Sequence, residues 1–238
     1  MIVTENQIWD KLNTVKPSLI EAKWFEEVYS LELSIQLRFT IGERLGILAA
    51  KGWEVTKSLI EKFGFQPELI HAAGLCHQKE AYDFLLKLLR EDKTHKLNIV
   101  KALSCWGALI PTPDLKNILK EKSIHIKLGG LNILRFKSHL LNAREILELV
   151  EDLLFDFRED VVIEVIRILQ RRDEAKIVKC ISKVAMNGTD RTVETALIAL
   201  GAIGTEESVI ALSSLSRNLT RRTHRQMAYK QISHQYKS

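Results

Sequence analysis

The chain of 238 residues has little proline and little glycine, four of the first and 11 of the second. That scarcity argues against an all-β protein, whose many turns use both residues, and against a linker-rich chain. Cysteine is almost missing. Cys76, Cys105 and Cys180 are odd in number and each falls in a helical pattern. They read as reduced core thiols, which excludes a disulfide scaffold and points to a cytoplasmic setting. No apolar run reaches the roughly 18 residues of a membrane span. Residues 1–6 lack the basic-then-apolar order of a secretory signal. Acidic residues stop altogether at Glu207. The stretch after it carries Arg217, Arg221, Arg222, Arg225, Lys230 and Lys237, a total of +6 against +5 for the whole chain, so residues 1–207 carry −1. The basic character is therefore a C-terminal property. A groove that tracks DNA needs Lys and Arg spread along one face, so nucleic-acid binding is disfavoured.

Catalytic signatures are also missing. No glycine-rich phosphate loop follows a strand pattern, and no Gly-x-Ser-x-Gly elbow is present. His71, Cys76 and His77 are the one tight His/Cys cluster, but six residues on a helix turn His71 and His77 about 120° apart. Metal pairs on a helix sit three or four residues apart, so no metal site is expected.

What is present is helical. Leu, Ile, Ala, Glu and Lys dominate, a mixture of good helix formers. Ala196-Leu197-Ile198-Ala199-Leu200-Gly201-Ala202-Ile203-Gly204 runs into Thr205-Glu206-Glu207-Ser208-Val209, an apolar helix leading through a turn into a second helix. Weaker copies anchor at Ala72, Ala102, Gly130 and Val165, so the five anchors are 30, 28, 35 and 31 residues apart. A period in that range means stacked supersecondary units.

The periodicity predicts helices near 21–32 and 34–50, the second ended by Gly52. It then predicts pairs at 53–63 with 67–77, 80–91 with 95–109, 113–121 with 125–137, 143–155 with 159–171, 174–187 with 190–203, and 206–217 with 220–235. Gly107, Gly188 and Gly204 stand where left-handed C-caps are wanted, and Asp190 and Thr205 where N-caps are wanted. Leu103, Trp106, Leu131, Leu134, Ile166, Leu169, Leu197 and Leu200 occupy equivalent places and predict one buried ladder. The expectation is one all-α array over 1–238. It has degenerate N-terminal helices at 1–66, core repeats at 67–204, and a last repeat with a basic cap at 205–238.

The segment from Ala196 to Leu212 resembles the short HEAT-type repeat of the phycobilisome lyase type, in which an Ala-Leu helix passes through Gly-x-x-Gly into a Thr/Asp-capped helix. The resemblance covers about residues 67–235 in weakening copies. Thr205 stands where many such repeats have Asp, and the turn Arg171-Arg172-Asp173 lacks the glycines. It implies a HEAT-like α-α superhelix of about six to seven helix pairs. It also implies handling of phycobiliproteins, as by cyanobacterial bilin lyase subunits or the related phycobilisome degradation protein. A phycobilin would then be a substrate, with no covalently bound cofactor. The partners would be phycobiliprotein subunits or another acidic protein, with a second lyase-type subunit as a further partner; the alternative is a non-enzymatic scaffold or chaperone that docks an acidic protein. Other short-repeat proteins bind iron through His-Glu pairs, and here no His precedes Glu.

Arg135, Lys137, Arg167, Arg171 and Arg172 fall on or just after the second helices of two adjacent repeats, which line the concave face in such solenoids. An arginine row there would clamp carboxylates, of a protein or of bilin propionates, because its forked donors match them. The competing reading pairs Arg167 and Arg172 with Glu164 or Asp173 on the surface. Arg221, Arg222 and Arg225 form a second basic patch on the last helix.

Overall fold

The computed structural model describes residues 3–92 and 94–235; Lys237 of the basic tail lies outside them. The described residues are all helix, turn and irregular backbone, with no strand among them. The chain divides into two compact units, residues 1–110 and 111–238.

In the first unit, α1 (Glu5–Thr14) was not foreseen as a distinct helix. Thr4 starts it with a capping box, its side chain and that of Gln7 each bonded to the other's backbone N–H. Ile8 and Leu12 are its buried face. α2 (Ala22–Val28) is shorter than predicted: Tyr29 leaves it in extended backbone, and Leu31 is exposed. α3 (Ile35–Ile47) and α4 (Ala49–Phe63) follow. Gly52 does not end a helix, as its residue type suggested, but lies inside α4. A Cβ there would stand 1.8 Å from the Leu45 carbonyl oxygen, so the glycine permits a close approach of α3 and α4. α5 (Pro67–Leu75) starts with proline in its first turn, and α6 (Lys79–Glu91) and α7 (Lys96–Leu103) complete the unit. α3, α5 and α7 pack side by side, with α4 and α6 against them.

The predicted helix at 95–109 is broken. Ser104–Leu109 is 3-10, and Gly107 inside it has φ 44° and ψ −105°, which is not a C-cap conformation. Trp106 therefore leaves the ladder. It is half-buried, with the His77 and Tyr82 rings tilted against it at 5.2 and 5.0 Å, and its Nε1 is buried without a partner.

The second unit holds four helix pairs: α8 (Thr112–Leu119) with α9 (Ile124–Lys137), α10 (Ala143–Val150) with α11 (Glu159–Leu169), α12 (Ala175–Asn187) with α13 (Asp190–Ile203), and α14 (Glu206–Asn218) with α15 (Arg222–Gln235). The second helices α9, α11, α13 and α15 pack in sequence as one layer, and α8, α10, α12 and α14 form the other. The ladder residues other than Trp106 are all buried, with Leu134, Ile166, Leu169, Leu197 and Leu200 at 0% exposure. Gly204 takes the left-handed conformation predicted for it, φ 70°. Gly188 does not, at φ −81° and ψ 177°; an added Cβ would meet Thr192 Oγ1 at 2.3 Å, so close packing explains the glycine. Thr205 caps α14 by accepting from the Ser208 N–H. Asp190 is the first residue of α13, and Thr189 takes the N-cap place predicted for Asp190.

Candidate functional site

Of the basic row predicted for the second-helix layer, Arg135 on α9, Arg167 on α11 and Arg171 just after α11 are exposed, whereas Lys137 and Arg172 are half-buried. Asp160, Glu164 and Arg167 on α11, and Arg171 in the turn that follows it, succeed one another at three- or four-residue spacing, and all but the half-buried Glu164 are exposed. Acidic groups lead the helix and basic groups end it, as the helix dipole favours. Arg167 Nη1 lies 2.5 Å from Glu164 Oε1, as the competing reading expected. Arg171 is exposed, and no partner for it is found among the described residues.

Arg172 turns the other way. Its Nη2 donates to the Ser138 and Leu141 carbonyls, the latter at 3.0 Å, and its Nε is buried without a partner. It pairs with neither Glu164 nor Asp173. It holds the turn between α9 and α10, so it is a structural tie. Arg135, on α9, is exposed; its Nη2 reaches Asn132 Oδ1 at 2.6 Å and its guanidinium lies 5.6 Å from the Phe136 ring. Lys137 is half-buried. Within the second patch, Arg221 is ion-paired to Asp190, and Arg225 Nη1 donates to the Leu219 carbonyl at 3.1 Å. Arg222 is exposed with no partner among the described residues. Ile198 on α13 and Tyr229 on α15 add apolar surface to the same layer, at 49% and 68% exposure.

A second arginine series, of which the sequence reading singled out Arg221 alone, ties successive pairs together. Arg158 grips both Asp156 oxygens and donates to the Lys122 carbonyl at 2.7 Å. Arg191 reaches Glu159 and Asp160 at 3.2 and 3.3 Å, and Arg221 reaches Asp190. Each sits at or beside the start of a second helix and reaches back to the preceding pair. Their spacing of 33 and 30 residues follows the repeat period and was the available signal.

The three thiols are free, Cys76 and Cys180 buried and Cys105 half-buried. Burial pushes the Cys76 thiol up to about 12 and raises those of Cys105 and Cys180, which keeps all three protonated and poorly nucleophilic. His71 is half-buried, and burial lowers its proton affinity. His77 is exposed, its ring tilted against Trp106. Among the described residues no three His, Cys, Asp or Glu side chains gather as a metal site. No helix among them is long and apolar enough to cross a membrane.

No family model and no curated protein matches the chain. Solved structures do. The archaeal HEAT-like repeats protein from Thermococcus onnurineus NA1 is 14% identical over 92% of this chain and 98% of its own, with a TM-score of 0.53. The likeness is one of fold. The complex of CpcE and CpcF of phycocyanin lyase from Nostoc sp. PCC7120 is 16% identical over 93% and 95%, TM-score 0.49. Human deoxyhypusine hydroxylase is 14% identical over 96% and 89%, TM-score 0.44. At those scores neither bears on function. The fold shown is that of an all-helical, HEAT-like α-solenoid.

Proposed function

We propose that this repeat protein is a recognition scaffold that binds an acidic partner on the second-helix layer of residues 111–238, with Arg171 and Arg135 as the leading contacts. One observation carries the reading. Arg172, Arg221 and Arg225 are used within the fold, whereas Arg171 is exposed with no partner among the described residues, and Arg135 is exposed on α9, the helix that packs against α11. The finer reading is that the partner is a phycobiliprotein subunit or its bilin, supported by the repeat resemblance at Ala196–Leu212. If bilin attachment is involved, the scaffold contributes proximity and orientation while the thiol belongs to the substrate. The suppressed thiols of this chain agree with that division of labour.

The test is direct. Phycocyanobilin and isolated phycobiliprotein subunits are each titrated into the protein, with absorbance and calorimetry as readouts. A red-shifted, sharpened bilin band supports bilin binding. Binding of subunits with an unchanged bilin spectrum supports a scaffold alone. The double variant Arg135→Glu/Arg171→Glu should weaken either interaction while the helical signal stays intact. If neutralising Arg221, Arg222 and Arg225 abolishes binding and the double variant binds normally, the site assignment is wrong.

A further inference from the structure

The second helices α9, α11, α13 and α15 pack in sequence as one layer, so equivalent positions form rows that cross it. The ladder defines one such row. The residues after Leu131, Ile166 and Leu197 are Asn132, Arg167 and Ile198; on α15 the buried Ala228 holds the ladder's place and Tyr229 follows it. The chemistry of the row changes along the layer. Toward α9 and α11 it is basic, with Arg167, the exposed Arg171 one turn further on, and the exposed Arg135. Toward α13 and α15 it is apolar, with Ile198 49% and Tyr229 68% exposed. A lone exposed apolar side chain is ordinary. These two occupy the same repeat position, 31 residues apart, on helices that pack against each other.

The apolar end is held in register. Gly201 lacks the Cβ that would stand 2.3 Å from Gln231 Oε1, and Gln235 Nε2 donates to the Gly201 carbonyl at 2.9 Å, so α15 is fixed on α13. Anchors fixed in advance lose little conformational freedom on binding. The basic charges beside them are available. Arg171 and Arg222 have no partner among the described residues, and Arg222 lies two turns before Tyr229 on the same face of α15. Arg135 bonds the neutral Asn132 amide and keeps its charge. The acids of α11 and α13 are matched: Glu159 and Asp160 to Arg191, Glu164 to Arg167, and Asp190 to Arg221, while Glu194 lies 4.0 Å from His224.

We propose that the partner reads this row with one extended segment, its acidic residues over α9 and α11 and apolar residues over α13 and α15. The inference rests on the acidic-partner reading above and adds the apolar half and its order. Packed helices lie roughly 8–10 Å apart and an extended chain advances about 3.3 Å per residue. The apolar side chains therefore fall about three and six residues beyond the acidic cluster.

The probe is a peptide of three glutamates with a leucine three residues and a phenylalanine six residues beyond them, spaced by serine. The control has serine in place of both apolar residues. Each is titrated into the isotope-labelled full chain. The probe should bind at least about tenfold more tightly than the control, as for an interface anchor. It should shift the amides of Ile198 and Tyr229 as well as Arg171, and the control should shift only those near Arg171. A spin label on the acidic end of the probe should broaden Arg171 before Tyr229. Ile198→Ser/Tyr229→Ser should reduce the probe to the affinity of the control. Both side chains are exposed; should that variant melt early, Tyr229→Glu alone provides the second check and should also weaken the probe. Equal binding of the two peptides, or normal binding of the probe by the variants, would overturn the apolar half and leave the acidic-partner reading in place. Broadening of Tyr229 before Arg171 would overturn the order. No binding of either peptide at millimolar concentration would overturn both this inference and the reading on which it rests.

Discussion

Glu68 sits in the first turn of α5 at 1% exposure, where Arg38 Nη1 lies 3.0 Å and the Tyr29 hydroxyl 2.7 Å from its Oε1. The three groups join α3 and α5 to the residue that ends α2. Burial and the Glu68 carboxylate hold the Tyr29 phenol protonated far above its ordinary range. Replacing the carboxylate strands a largely buried guanidinium, so Glu68→Gln should cost about 3 kcal/mol in a denaturant melt. Tyr29→Phe should cost about 1 kcal/mol, the worth of one hydrogen bond. A Glu68→Gln loss no larger than that of Tyr29→Phe would show the ion pair to be unimportant. At Asp156, the hydrogen bonds from Arg158 hold the carboxyl below its usual range. An unfolded aspartate titrates near ~3.9, so the stabilisation is complete above that value and is lost as pH falls through the lower folded one. Asp156→Asn should lose stability at neutral pH and decline less steeply in acid. Cys76 should resist alkylation at pH ~8 in the native protein and react once unfolded, because only the thiolate attacks.

At the scale of elements, two kinds of link join successive pairs in residues 111–238. The apolar ladder is one. Leu200 is fully buried on α13, so Leu200→Ala should destabilise by about 2–5 kcal/mol, the range for large-to-small core changes. A midpoint shift worth less than about 1 kcal/mol would exclude it from the core. Polar ties are the other, and they differ in weight. Arg191 is 63% exposed and its carboxylate partners are reached by water, so Arg191→Ala should cost no more than about 1 kcal/mol. Arg172 instead holds two carbonyls in a partly buried turn, and Arg172→Ala should cost about 1.5–3 kcal/mol. Reversal of that order in matched melts would mean that the backbone ties are dispensable.

Over the whole molecule, residues 111–238 contain their own ladder and their own polar ties. Stability in repeat proteins is a sum of unit and neighbour terms. A fragment of residues 111–238 should therefore keep its helical signal and melt cooperatively. A fragment without a melting transition would favour the single array that the period suggests. Binding of an acidic partner should weaken with added salt, since exposed charges are screened over about 10 Å at 0.1 M. A salt-independent affinity would point to apolar contacts such as Ile198 and Tyr229 in place of the arginines.

Helix content, most pair boundaries and the buried ladder followed from the sequence, because burial of one face imposes a helical period on apolar residues wherever a pair stacks. Residues whose role depends on a neighbour in space did not follow. Gly52 looked like a stop and is a close approach, and Gly188 does end α12 but without the left-handed conformation expected of it, since a glycine's type records the missing Cβ and not the reason for it. Trp106 held the ladder's place in the period, yet the 3-10 turn at Gly107 moved it onto His77 and Tyr82. For the candidate site, the sequence marked which helices carry arginines, and only the tertiary structure decided how each is used. Arg171 and Arg172 are adjacent in the chain, but one meets water and the other the carbonyls of Ser138 and Leu141. A long charged side chain takes whichever acceptor the fold brings within reach, and that acceptor lies some thirty residues away along the chain.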